Sequence, residues 1–244
     1  RQQREFEKRY LNVAKQYSRD QLETFASCLG LFMGEIEAAK NGSGEFRDFA
    51  GEIYMDSGTS NGKAGQFFTP YHVSHLMSEC TLNKDEVLGR FENDPDHVLT
   101  LYEPTCGAGG LIVASIDVLN GYGVNYAWNV FVDCGDIDSR CVHMTYLTLS
   151  LLGVPAVVRL GDALAMDYRE AWFTPAYLIA WPHFKNRIGR GNYPITATVP
   201  KAPGSPVTEP KEAPAVTPTE SPQKEKITPE NAPNCDENGQ MSLF

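Results

Sequence analysis

The feature that most restricts the fold is a change of rhythm between Val98 and Phe184. Val98-Leu99-Thr100-Leu101-Tyr102 reads as a buried strand, followed by a Gly-rich turn and a helix from Gly110 to about Leu119. Val130-Phe131-Val132 is a second strand, and residues 138–152 make a second helix closed by Gly153. Val157-Val158-Arg159-Leu160 reads as a third strand and Tyr177-Leu178-Ile179-Ala180 as a fourth. Strands and helices alternating in this way build βαβ units and a parallel sheet, an α/β fold.

The flanking regions have other compositions. From Gln3 to Lys40 apolar residues recur at helical spacing, as Phe6, Tyr10, Val13 and Tyr17 and again as Leu22, Phe25, Leu29, Phe32 and Ile36. Ser18-Arg19-Asp20-Gln21 has the form of a capping box that starts the second helix, and Asn41-Gly42 ends it. Ten of the sixteen prolines lie between Pro194 and Pro233, among Thr, Glu, Lys, Ser and Ala. Such a segment buries too little apolar surface to offset its ordering entropy, so a disordered tether is expected. The expected organisation is therefore a helical segment over 1–45, an α/β domain over 46–193, a linker over 194–238 and a terminal peptide over 239–244.

Hydrophobic residues make up 42% of the 244, enough for a core, and no stretch approaches the ~20 apolar residues of a membrane span. The opening Arg1-Gln2-Gln3-Arg4-Glu5 lacks the apolar region of a secretory signal, so a soluble, cytoplasmic protein is expected. The six cysteines, Cys28, Cys80, Cys106, Cys134, Cys141 and Cys235, show no C-x-x-C pair and no zinc-ligand spacing with histidine. They read as small buried residues in a reducing compartment, and no metal is expected. The net charge of −10 argues against coating DNA by bulk electrostatics. Basic residues nevertheless cluster at Arg1, Arg4, Lys8, Arg9, Lys15 and Arg19 and at Lys185, Arg187 and Arg190, where they either meet phosphate or form a solvated face.

The turn after the first strand reads Glu103-Pro104-Thr105-Cys106-Gly107-Ala108-Gly109-Gly110. Glycines there admit a cofactor close to the backbone, and the following helix N-terminus supplies unpaired N–H groups. The string resembles motif I of the amino-DNA (adenine-N6) methyltransferases. Upstream, Gly65-Gln66-Phe67-Phe68-Thr69-Pro70 is similar to a segment of Type I restriction modification subunits, and Gly135-Asp136-Ile137-Asp138 and Gly161-Asp162-Ala163-Leu164 follow the second and third strands in family order. The resemblance implies a Rossmann-like fold that binds S-adenosyl-L-methionine and transfers its methyl group to adenine N6 in DNA. It implies that the segment with Phe68 and Thr69 lines the cofactor's methionine and adenine ends, that Glu103 lies near the methionine end, that Asp136 accepts from the ribose hydroxyls and that Asp162 faces the adenine amino group, with Pro104, Cys106, Gly107, Gly109, Ile137 and Ala163 also among the cofactor-binding residues. Read singly, Glu103, Asp136, Asp138 and Asp162 also suit helix caps or turns. A nicotinamide-dependent oxidoreductase fits the glycines but not the Pro-Thr-Cys insertion.

In that family an Asn/Asp-Pro-Pro-Phe/Tyr motif ends the fourth strand, its acceptors polarising the target amine while the aromatic ring stacks on the flipped base. Here the aligned string is Ala180-Trp181-Pro182-His183-Phe184. Pro182, His183 and Phe184 become the candidate catalytic residues, with His183 either a proton acceptor or a structural residue. Trp181 replaces the Asn/Asp, and an indole is a donor with no acceptor. Few residues follow before the prolines, so the sheet is expected to be short, its open edge covered by the N-terminal helices, a second copy or a specificity subunit. The terminal Gln240-Met241-Ser242-Leu243-Phe244 resembles the peptide that docks replication proteins on the bacterial β sliding clamp, with Gln240, Leu243 and Phe244 as anchors. Two functions follow, an active DNA adenine methyltransferase or a catalytically silent, clamp-tethered cofactor-binding module of regulatory or anti-restriction use.

Overall fold

A computed structural model describes residues 2–56, 68–185 and 187–188. Among the described residues five helices precede the sheet: α1 (Gln2–Ala14), α2 (Arg19–Lys40), α3 (Phe49–Asp56), α4 (Tyr71–Thr81) and α5 (Lys84–Asn93). The expected capping box starts α2, with Gln21 N–H donating to the Ser18 hydroxyl and Ser18 N–H to the Gln21 side chain. Only the C-terminal half of α2 reaches the core, through Phe32, Ile36 and Ala39. Leu22, Phe25 and Leu29, from the same stripe, stay exposed.

The sheet then forms as β1 (Leu99–Glu103), α6 (Gly110–Gly121), α7 (Tyr126–Asn129), β2 (Val130–Asp136), α8 (Ser139–Leu152), β3 (Ala156–Asp162), β4 (Asp167–Phe173) and α9 (Pro175–Phe184). Strand order is β1-β2-β3-β4, with β1, β2 and β3 parallel and β4 antiparallel to β3. Two helical crossovers between parallel neighbours bring the C-terminal ends of β1, β2 and β3 to one edge. α6 and α8 cover one face, where Ile112, Val113, Ile116, Leu119, Val142 and Leu149 cluster with Val130, Val132 and Val158. α9 lies on the opposite face, against Phe131 and Val157. β2 is buried along nearly its whole length, as a strand covered on both faces must be.

Two expectations need correction. Tyr177–Ala180 is not a fourth strand: it lies within α9, whose N-cap Thr174 accepts a hydrogen bond from Tyr177 N–H and whose first residue is Pro175. A threonine cap followed by proline at the first helical position favours helix over an ambiguous short apolar run. The actual fourth strand, β4, is antiparallel, so the sheet is mixed rather than wholly parallel. The cysteines also divide: Cys106, Cys134 and Cys141 are buried, whereas Cys28 and Cys80 are exposed. The Pro-rich linker, the terminal peptide and Cys235 lie outside the described residues.

Candidate functional site

The loops at the C-terminal ends of β1, β2 and β3 bring together most of the residues implied for the cofactor. The turn leaving β1 is pinned from below, since Cys106 N–H donates to the Gly135 carbonyl at 2.8 Å. Gly107 N–H donates to Asp136 Oδ2 at 2.9 Å, and Asp138 N–H to Oδ1 of the same carboxylate at 2.9 Å. One carboxylate thus ties the β1 turn to the β2 turn, 29 residues later in the chain. Thr145, on α8, donates its hydroxyl to the Gly107 carbonyl at 2.9 Å. The turn's shape is held by the protein itself.

Glycine is required twice in this turn. Gly107 has φ +54° and Gly109 φ +96°, the left-handed region that disfavours any Cβ. A Cβ at Gly107 would also lie 3.2 Å from the ring of Phe68, which packs over the turn and against Tyr54. Glu103 accepts from the backbone and hydroxyl of Thr105, both at 3.0 Å, which orients its carboxylate at the lip of the turn. Pro104 and Cys106 follow within it, Cys106 buried. At the end of β3, Asp162 Oδ1 accepts from Leu164 and Ala165 N–H, closing a turn that carries Ala163. Ile137 and Leu164, the apolar residues of the two outer loops, remain 65% and 98% exposed. Thr69 is exposed beside Phe68, while Gly65, Gln66 and Phe67 lie outside the described residues.

Asp48 is a site residue that the sequence reading missed. It is only 5% exposed, its Oδ1 accepts from Gly51 N–H at 2.9 Å, and it stands at the start of α3. A Cβ added at Gly110 would fall 2.7 Å from its Oδ2, so the carboxylate lies against the first residue of α6. Burial raises its carboxyl above the ordinary value, opposed by the Gly51 N–H. Two of the nearby thiols are held toward their protonated form. A hydrogen bond with Cys106, together with burial, holds the Cys134 thiol well above its usual value, and burial pushes Cys141 up to about 12. Among the described residues no cluster of His, Cys, Asp and Glu is placed to hold a metal.

The structure separates the candidate catalytic residues from this turn. Phe184 is fully buried among Val98, Phe131 and Tyr177. His183 stacks on Trp128, ring centres 4.6 Å apart, and bonds Arg187 through Nδ1. Arg187 pairs with Asp96 at 2.7 Å. Trp128 and Asp96 precede β2 and β1, so Pro182, His183 and Phe184 sit at the N-terminal ends of the strands. The Gly-rich turn is at the C-terminal ends. The expectation that these three residues form the catalytic end of a strand is therefore corrected: they belong to a helix that packs the far end of the sheet.

A Gly-rich turn between a parallel strand and a helix, tied to an acidic residue at the next strand's end, sits at the C-terminal edge of the sheet in a mixed α/β domain. Residues 47–201, more than half of the chain, match the family model of the N-6 DNA methylases. The chain belongs to the N-6 DNA methylase family, whose substrate is DNA. No curated protein matches it. No helix among the described residues is long and apolar enough to cross a membrane.

Proposed function

We propose that this protein is a cytoplasmic, S-adenosylmethionine-dependent DNA methyltransferase-like protein whose reaction is methyl transfer to adenine N6. The observation that carries the cofactor reading is the carboxylate environment of the turn. Dinucleotide enzymes place a pyrophosphate at the helix N-terminus that follows the turn. Here Asp48 already lies against that position, and a second anion beside it would be repelled. A cofactor with a cationic sulfonium and ammonium suits such a site. Bound there, it supplies the methyl group.

The protein's own residues then have distinct tasks. Gly107 and Gly109 admit the ligand to the backbone, and Glu103 accepts from its ammonium end. Asp136 retains lone pairs beyond its two backbone bonds and accepts from ribose hydroxyls. Ile137, Leu164 and Phe68 offer apolar surface for the adenine, and Asp162 with Ala163 borders it. For the DNA side, the basic residues near Lys185 and in the first twenty residues are the available phosphate contacts. Residues 240–244 are proposed to dock on a β sliding clamp through Gln240, Leu243 and Phe244. A specificity subunit or second copy would supply base recognition.

A second reading is favoured by one observation, the distance of Pro182, His183 and Phe184 from the turn. In that reading the chain is a silent cofactor-binding module. Methyl-tritiated S-adenosylmethionine with unmethylated bacterial DNA decides between them. Label on DNA that is lost in Asp136→Ala supports the transferase. Label retained on protein alone supports the silent module, and label on neither refutes both.

A further inference from the structure

α2 is longer than the core it serves. Its residues Leu22, Phe25, Leu29, Phe32, Ile36 and Ala39 follow one another at intervals of three and four, the spacing of a single apolar seam along one side of a helix. The C-terminal half of the seam belongs to the domain, where Ile36 and Ala39 are buried and Phe32 meets Phe49 edge-on. The N-terminal half continues the same line past the domain. Every residue from Arg19 to Leu31 is exposed, and Leu22, Phe25 and Leu29 are 37%, 52% and 43% so. A helix in water has no use for a half-seam of that kind unless something covers it.

The positions that flank a helical seam decide which partner it accepts. Beside Leu22, Phe25 and Leu29 they are Gln21, Ala26 and Cys28, all uncharged in a chain of net charge −10. Arg19, at the start of the helix, is already paired with Glu23 at 2.9 Å. An acidic or basic partner therefore finds no charge to answer along the seam. A second copy of the same seam meets no like charge across it.

The surface is also large enough. Tyr17, 40% exposed, meets Phe25 edge-on with ring centres 5.0 Å apart. It joins to the seam the stripe of α1, Tyr10 and Val13, which are 67% and 56% exposed. At somewhat under ~200 Å² for a side chain of this class, these six residues expose roughly 500 Å². That lies toward the upper end of the largest apolar patch on an ordinary monomer, about 300–600 Å². Two such patches face to face reach the ~1,000 Å² that a biological interface needs.

The fold limits how a second copy approaches. A parallel partner would run beside Phe32, Ile36 and Ala39, where the copy's own domain already lies. An antiparallel partner overlaps only the free halves, about 12 residues or ~18 Å of each helix, and leaves the two domains at opposite ends. Leu22 of each copy then faces Phe25 of the other across a twofold axis. We propose that the protein self-associates as a twofold dimer through the free half of α2, with Leu22, Phe25 and Leu29 as an antiparallel seam and Tyr10, Val13 and Tyr17 at its margin. The matched family segment begins at residue 47, so this surface lies in the part of the chain outside it.

Sedimentation velocity on the full chain tests it, over roughly 1 to 100 µM, the weak end of the range for interfaces of this size. The wild type is expected to pass from monomer to dimer across that range. Amides of 22–30 are expected to exchange with solvent at least tenfold more slowly at its upper end. Phe25→Glu with Leu29→Glu should stay monomeric throughout while β2 and β3 keep their protection, because both side chains are exposed in the single copy. Leu31→Glu is the control: it is 74% exposed on the other side of α2 and should dimerise like the wild type. A wild type that is monomeric at the highest concentration would overturn the proposal. So would a dimer that survives the double variant, a dimer lost equally in Leu31→Glu, or protection of 22–30 that does not change with concentration. Neither cofactor nor DNA enters the measurement, so its failure and that of the methyltransferase reading are distinct.

Discussion

Substituting Asp136 by Asn tests the central joint of the site without changing its shape. The carboxylate accepts Gly107 N–H and Asp138 N–H, both at 2.9 Å and one on each oxygen. Hydrogen bonds to charged groups are worth about 1.5–3 kcal/mol, and neutral ones about 1 kcal/mol. In the amide one bond survives in its neutral form. The other backbone N–H faces an NH2 group and loses its acceptor. Because the residue is only partly buried, water recovers some of that loss, and about 2 kcal/mol of destabilisation is expected. For a domain of this size that is roughly a 4–8 °C fall in Tm. Urea denaturation should show a lower midpoint at unchanged slope. Asp162→Asn is the matched control: its Oδ1 also accepts two backbone N–H groups, but within its own exposed turn, which asparagine forms equally well. That variant is expected within about 0.5 kcal/mol of wild type. If the two variants lose the same stability, Asp136 does not clamp the two turns together and the reasoning fails. Calorimetric titration with S-adenosylmethionine should additionally show at least about a tenfold weaker Kd for Asp136→Asn, one lost hydrogen bond's worth.

Other perturbations follow from the same geometry. Asp48→Asn keeps the acceptor for Gly51 while removing a buried charge. Burial raises the Asp48 pKa in the folded state, so the folded protein holds this proton more tightly than the unfolded chain does. Wild type should therefore lose stability relative to Asp48→Asn as pH rises from the unfolded value near 3.8 through the raised folded value, and differ by a constant above it; a pH-independent difference in urea midpoints would contradict this. Phe184→Ala removes a fully buried ring and should cost about 3–5 kcal/mol, read by denaturation, while the protein that remains folded binds S-adenosylmethionine with unchanged Kd. A large affinity loss at unchanged stability would place Phe184 in the site after all. Leu243→Ala with Phe244→Ala should abolish binding to the β sliding clamp in a pull-down or surface-binding assay, and equal affinity of variant and wild type would remove the clamp from the partners.

Much of this architecture is legible in the sequence because it depends on local signals. The strands at Leu99–Glu103 and Val130–Asp136, the Ser18 capping box and the Gly153 helix stop each announce themselves within a few residues, although of the first strand, expected to be buried, only Leu99 is. The Gly-rich turn is equally legible, since positive φ at Gly107 and Gly109 leaves little choice of residue. β4 was hidden because Asp-Tyr-Arg-Glu-Ala-Trp-Phe lacks the apolar run of an interior strand. An antiparallel edge strand with none of its residues fully buried needs none. α9 is ambiguous in the sequence although Thr174-Pro175 signals a helix start, because four apolar residues suit either state. Asp48 gave no useful signal at all. Its importance comes from meeting Gly110, and that meeting is set by how α3 packs beside α6.

The placement of α9 also changes what Trp181 means. Aligned by its Pro and Phe, Trp181 looks like a catalytic Asn or Asp replaced by a residue with no acceptor. In the fold it is a helical residue that packs on Tyr177, ring centres 5.3 Å apart, at the end of the sheet away from the Gly-rich turn. With the proposed cofactor site at the opposite ends of the strands, no target base is expected at Trp181. Restoring Asn at position 181 should therefore not raise methyl transfer, and placing an amide against the ring of Tyr177 should cost stability instead. On the proposed function, cofactor binding and amine polarisation are thus separable. If label reaches DNA, the acceptors for the adenine amine are expected to lie elsewhere than positions 181–184, and replacing Trp181 or His183 is expected to leave the rate constant of transfer unchanged wherever the fold survives.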